Sequence, residues 1–153
     1  MIRSEELTNF LQAIKEHMVS FENANFSDIN WCNSEGENAL HIAVYRNEYE
    51  ICKELVSLGI EINARGDLGN TPLHEVARME NFALVEFLVE SGADVYALTE
   101  GYPPFTYAKT AEIREYLREK MKEVVGVNKA AWAKAQISYL NREIKRIEKM
   151  YGL

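Results

Sequence analysis

Apolar residues recur at helical spacing along most of the chain. Near its start Leu7, Phe10, Leu11 and Ile14 fall three or four apart, which predicts a helix over residues 4–18 opening at Ser4. Leu73, Val76 and Ala77 form a second apolar face, and Leu84, Val85, Leu88 and Val89 a third. Thr71 can cap the helix that Leu73 belongs to, and Pro72 at its first position loses no needed N–H. Gly92 stands where the following helix must stop, because the residue after a helix often adopts a left-handed conformation. Farther on, Ala130, Ala133, Ile137, Leu140, Ile144, Ile147 and Tyr151 alternate by three and four. That is a heptad stripe, with Lys134, Arg142, Glu143, Lys145, Arg146 and Glu148 largely on the other faces.

The pattern also repeats at longer range. Gly69-Asn-Thr-Pro-Leu-His-Glu-Val-Ala77 has a counterpart 33 residues earlier in Gly36-Glu-Asn-Ala-Leu-His-Ile-Ala-Val44. His41 aligns with His74, Leu40 with Leu73, Leu55 with Leu88, Gly59 with Gly92 and Ile62 with Val95. A period of 33 with Thr-Pro-Leu-His and Gly-Ala-Asp resembles the ankyrin repeat. The resemblance implies an all-α solenoid of helix-turn-helix repeats joined by short β-hairpin turns, followed here by a C-terminal helix.

On this reading residues 1–123 are a repeat domain and residues 124–153 a helical extension. Residues 1–32 form a degenerate N-terminal capping repeat, since Met18 to Phe26 makes a poor second helix. Asp28-Ile29-Asn30 still keeps register with Glu61-Ile62-Asn63. Residues 33–65 and 66–98 are full repeats. The first departs from the family with Asn38-Ala39 in place of Thr-Pro, a change expected to weaken capping. Gly66 stands where the family usually has Asp. Residues 99–123 form a truncated last repeat, with Thr106 in the place of the His. Val124 to Asn128 reads as a break, with Asn128 able to cap a new helix. That helix folds back over the last repeat or offers a seam for self-association or a partner helix. Trp132 and Tyr139 fall off the stripe and would widen its buried face or mark an exposed contact.

Composition narrows the function. The 153-residue chain carries a net charge of −7 and has a pI near 5.1. An acidic chain is unsuited to phosphate backbones or anionic membranes, so neither nucleic acid nor membrane is expected as a partner. It would attract a basic partner instead. The N-terminus lacks a signal-peptide pattern and no apolar run is long enough to span a membrane, so a cytoplasmic location is expected. Cys32 and Cys52 suggest no disulfide, and Cys52 falls on an apolar helix face.

No catalytic constellation emerges. The resemblance gives His41 and His74 a structural role, bridging turn backbone groups of adjacent repeats. No His lies at zinc spacing from another His or Cys, and no Gly-rich phosphate loop is present. The chain is therefore expected to be no enzyme and to need no cofactor or metal.

The resemblance places binding on the concave face, built from turn tips and first helices. Carried onto this sequence, the first repeat offers Ser34, Glu35, Glu37, Ile42, Tyr45 and Arg46. The second offers Arg65, Asp67, Leu68, Asn70, Glu75, Arg78 and Met79. The third offers Thr99, Glu100, Tyr102 and Tyr107. Aromatics, Met and Arg are the residues enriched at interface centres. The expected partner is one compact, basic protein. The concrete form of that expectation is an inhibitor similar to small ankyrin immunity proteins, covering a basic toxin or effector enzyme. The alternative is an adaptor or regulatory subunit that docks or dimerises through the C-terminal heptad helix.

Overall fold

The computed structural model describes residues 3–152, without the side chains of residues 124–129, 131, 132, 135, 136, 139 and 143. Helix α1 (Glu5–His17) begins where the sequence predicts: the Ser4 hydroxyl accepts from the N–H of Leu7. Leu7, Phe10, Leu11 and Ile14 are its buried face. The helix packs on the turn that follows it and on α3 (Tyr49–Ser57), and the N–H and hydroxyl of Ser4 both donate to Glu54, at 2.7 and 2.5 Å. The degenerate second helix is reduced to one 3-10 turn, Val19–Phe21. Phe21, Phe26 and Trp31 close beneath it as an aromatic cluster, with ring centroids 5.5 to 6.3 Å apart.

The two full repeats are helix pairs: α2 (Ala39–Tyr45) with α3, and α4 (Pro72–Ala77) with α5 (Phe82–Glu90). The first helices α2 and α4 pack side by side, and each also packs on its own second helix. An inner helix pressed from several directions has little free surface, and residues 39–44 are all buried. Capping at α2 is stronger than expected. The Asn38 carboxamide oxygen accepts from the N–H groups of Leu40 and His41, while its NH₂ donates to the Glu61 carbonyl at 2.9 Å. Asn ranks with the best N-cap residues, so replacing Thr by Asn preserves the cap.

The turns contain short backbone pairings, such as Gly66 N–H to the Asn70 carbonyl, and an isolated antiparallel bridge between Thr99 and Tyr102. No extended strand forms among the described residues. Successive turns nest closely. Gly36 has φ +86°, and a Cβ there would stand 2.2 Å from the Arg65 carbonyl oxygen. At Gly66 a Cβ would meet the Glu37 side chain at 2.9 Å and the His41 ring at 3.2 Å, which accounts for glycine where the family has Asp.

The third repeat is abbreviated on its inner side. A 3-10 turn, Pro104–Tyr107, replaces the first helix, and Thr110 then caps α6 (Ala111–Tyr151). Ile113, Leu117 and Met121 of α6 complete a single core that begins at Leu7. A straight helix rises 1.5 Å per residue, which would put Arg142 about 46 Å beyond Ala111. Arg142 instead donates to the carbonyl of Thr106 at 3.2 Å. Helix α6 is therefore not straight, and its last part lies against the third repeat. The interruption expected at Val124 to Asn128 does not occur: the backbone stays helical through those residues, and the helix is capped at Thr110 rather than at Asn128. The roles expected of Trp132 and Tyr139 fall outside the described side chains.

Candidate protein-binding face

His41 and His74 set the geometry of this face. The Nδ1 of His74 accepts the N–H of Thr71 at 3.2 Å, and its Nε2 faces the Tyr102 carbonyl at 3.3 Å. In the preceding repeat Nδ1 of His41 accepts from Asn38 at 3.2 Å, and Nε2 faces the carbonyl of Asn70 at 3.2 Å. The backbone partners of both rings suit the neutral form with its proton on Nε2, which in His41 leaves the Nδ1 lone pair 3.0 Å from the Asn38 carboxamide oxygen. Each His therefore ties its own helix start to the next repeat's turn. Burial pushes the pKa of His74 down to about 4, and lowers that of His41. The rings are structural donors, with no free lone pair for chemistry.

Asparagines make a second set of ties in the same register. The Asn30 oxygen accepts from Glu61 N–H at 2.6 Å, and the Asn63 oxygen accepts from Asp94 N–H at 2.8 Å. The triplets Asp28-Ile29-Asn30 and Glu61-Ile62-Asn63 match in sequence without in themselves assigning these side chains a role. The signal was there, since both asparagines occupy one repeat position.

A groove of about 430 Å³ lies between the first and second full repeats on the side of the turn tips and first helices. Its lining includes Glu37, Ile42, Tyr45, Asp67, Leu68, Asn70, Glu75 and Arg78, and Met79 joins Tyr45 in an adjoining hollow. The structure thus brings together nine of the expected binding residues. Met18, from the N-terminal repeat, also lines the groove and was not foreseen. Tyr45 is 76% exposed and Leu68 65% exposed. Leu68 holds φ +54°, a left-handed conformation that disfavours residues bearing a Cβ. The turn therefore presents a large apolar side chain at a conformational cost.

Three carboxylates, Glu37, Asp67 and Glu75, face this groove against one guanidinium. Arg78 is itself engaged. It pairs with Glu75 at 3.2 Å, donates to the Asn70 oxygen at 3.3 Å and lies 4.6 Å from the Tyr107 ring centroid.

The remaining expected residues sit elsewhere or are less available. Ile42, Asn70 and Thr99 are buried rather than exposed, and Met79 is half-buried. Ile42 is held by the packing of α2, and Asn70 lies beneath Arg78. Thr99 donates its hydroxyl to the Leu68 carbonyl at 2.6 Å. Arg46 is outside the groove, its guanidinium 5.8 Å from the Phe10 ring centroid. Arg65 spans neighbouring turns, donating to the carbonyls of Gly69 and Leu98 at 3.2 and 2.8 Å. Ser34 and Glu35 are exposed on a turn tip. Tyr102 and Tyr107 are half-buried, with Arg142 of α6 positioned 5.5 and 4.7 Å from their ring centroids. Glu100 lies beside the same part of α6.

Other chemistry finds little footing. The Cys52 thiol is buried and pushed up to about 12, far from the thiolate a nucleophile requires. Among the described residues no group of three His, Cys, Asp or Glu side chains is placed to hold a metal ion. No helix of the described residues is long and apolar enough to cross a membrane.

A solenoid of short helix pairs, tied by buried side chains and presenting a groove along its turn side, is a scaffold for binding. The chain belongs to the ankyrin-repeat family, whose profile matches residues 4–99 in three copies. Ankyrin repeats are a protein–protein interaction fold and are typically non-catalytic. Among curated proteins it is similar to a putative ankyrin repeat protein of Borreliella burgdorferi, 30% identical over 71% of this chain and 49% of that protein. It is 28% identical to the tyrosine-protein kinase Shark of Drosophila melanogaster over 67% of this chain and 12% of the kinase. It is 34% identical to the RelA-associated inhibitor of Mus musculus over 61% of this chain and 10% of that protein. The chain thus spans about half of the Borreliella protein and about a tenth of the other two.

Proposed function

We propose that the groove between the two full repeats binds one compact, basic protein, and that the chain acts by covering its partner as an inhibitor. The carrying observation is the groove itself: Tyr45 and Leu68 stand exposed over Glu37, Asp67 and Glu75. An aromatic and an aliphatic anchor beside three carboxylates, of which only Glu75 is paired with the groove's guanidinium, suit a partner with an apolar knob flanked by Lys or Arg. The net charge of −7 would speed encounter with such a partner. The most concrete version is an immunity-type protein that neutralises a basic toxin or effector enzyme. It draws on the acidic groove and on analogy with small ankyrin immunity proteins. One relative is itself named an inhibitor.

The test compares wild type with a Tyr45→Ala/Leu68→Gly chain as bait in a lysate of the source organism. Wild type should retain one stoichiometric basic protein, less of it as salt rises, and inhibit whatever activity that protein has. The double variant should lose the partner by at least about a hundredfold in affinity while unfolding no earlier. Equal retention by both chains would place binding away from the groove.

A further inference from the structure

The last part of α6 is docked the opposite way round from an ordinary surface helix. Arg142 touches the protein, donating to Thr106 and resting over Tyr102 and Tyr107. Ser138 and Arg142 are the half-buried positions among the described side chains from residue 130 onward. At 100° per residue, Arg142 lies about 180° from the mean direction of the heptad stripe. The stripe therefore points to solvent. Ile137, Leu140, Ile144, Ile147 and Tyr151 are 49 to 71% exposed.

We propose that this seam pairs with the same seam of a second copy, antiparallel. Written as heptads, Ile137 and Ile144 occupy a positions, and Leu140 and Ile147 occupy d positions. Centring the pair on Arg142 sets Ile137 against Ile147 of the second copy, Leu140 against its Ile144, and small Ala133 against its large Tyr151. Every large apolar residue of the seam gains a partner. In the same register Lys134 faces Glu148 of the second copy, twice by symmetry, and both residues are exposed. By sequence position Glu143 meets its own copy once. A parallel pair would instead set Lys129 against Lys134 and Glu143 against Glu148, all like charges. Charge complementarity thus favours the second copy in the antiparallel sense. The back of the helix stays docked through Arg142, so pairing leaves the groove open.

Sedimentation of the full chain over a wide concentration range tests this. The mass should rise from 17.6 kDa to twice that value. Lys134→Glu should weaken dimerisation about tenfold, and Lys134→Glu/Glu148→Lys should restore it. Leu140→Asp/Ile144→Asp should give a monomer with unchanged folding, since both sites are exposed in the single chain. A wild type that stays monomeric throughout overturns the proposal. So does a tighter dimer in Lys134→Glu, which parallel pairing requires, or a dimer that survives the double aspartate.

Discussion

Single residues carry the stacking of this chain, and two of them make it sensitive to pH and to one methyl group. The pKa of His74 is about 4 in the folded chain and 6.5 ordinarily, with burial the main cause. Between those values the unfolded state binds more protons than the folded one. Stability from this residue is thus complete above pH 6.5 and is lost as pH falls toward 4, by roughly 3 kcal/mol. His41, lowered for the same reason, adds in the same direction. Urea unfolding at neutral pH and near pH 4.5 should show the loss. His74→Gln should be weaker at neutral pH but show a shallower slope, and an unchanged slope would assign the titration to other groups. At Gly36 a methyl group must occupy space 2.2 Å from a backbone oxygen and hold φ +86°. Gly36→Ala should therefore cost roughly 3 kcal/mol or more. Gly69→Ala, at φ +80° but with its nearest neighbour 3.7 Å away at the end of Arg65, should cost about 1 kcal/mol. Equal losses would mean that conformation alone matters. Leu68→Gly works oppositely: it removes an exposed side chain and relieves a left-handed backbone, so unfolding should come no earlier while partner binding falls.

The helices show which features were legible in advance. Repeat positions and the apolar faces of α1, α4 and α5 follow from spacing, because a 33-residue period fixes each helix against the next. Exposure within the first helices was less legible. Ile42 occupies a family binding position, yet α2 is so short and so closely flanked that residues 39–44 all turn inward. Arg46 leaves the groove because α2 ends at Tyr45, and its side chain then reaches Phe10. The docking of α1 on α3 depends on Glu54 accepting from Ser4, a tertiary contact with no sequence period behind it. Capping at α2 is stronger than the departure from the family's Thr suggests, because the physical requirement is an oxygen acceptor, which Asn38 supplies. Asn38→Ala removes both cap bonds and the bond to Glu61. It should cost about 1–2 kcal/mol in chemical denaturation. A loss near zero would show that water replaces the cap.

At the scale of the whole molecule the core is one continuous cluster, but its two ends are closed differently. The N-terminal end is sealed by α1 and the Phe21, Phe26 and Trp31 cluster, all within the protein's apolar interior or packed on it. The C-terminal end is sealed by two parts of α6 with unequal roles. Ile113, Leu117 and Met121 are fully buried and substitute for the missing neighbour of the second repeat. The segment around Arg142 adds one hydrogen bond and two cation–π contacts over Tyr102 and Tyr107. Nearest-neighbour packing then predicts how the protein responds to shortening. A chain ending at residue 123 keeps the buried triplet, so it should still unfold cooperatively, less stable by about 1–2 kcal/mol. A chain ending at residue 110 loses the triplet and should expose α5, with fast amide exchange there while α1 to α3 remain protected. The first truncation also uncovers Tyr102 and Tyr107. If the partner's footprint reaches the third repeat, the chain ending at residue 123 should bind it more tightly than the full chain. Unchanged affinity would confine the footprint to the groove between the two full repeats.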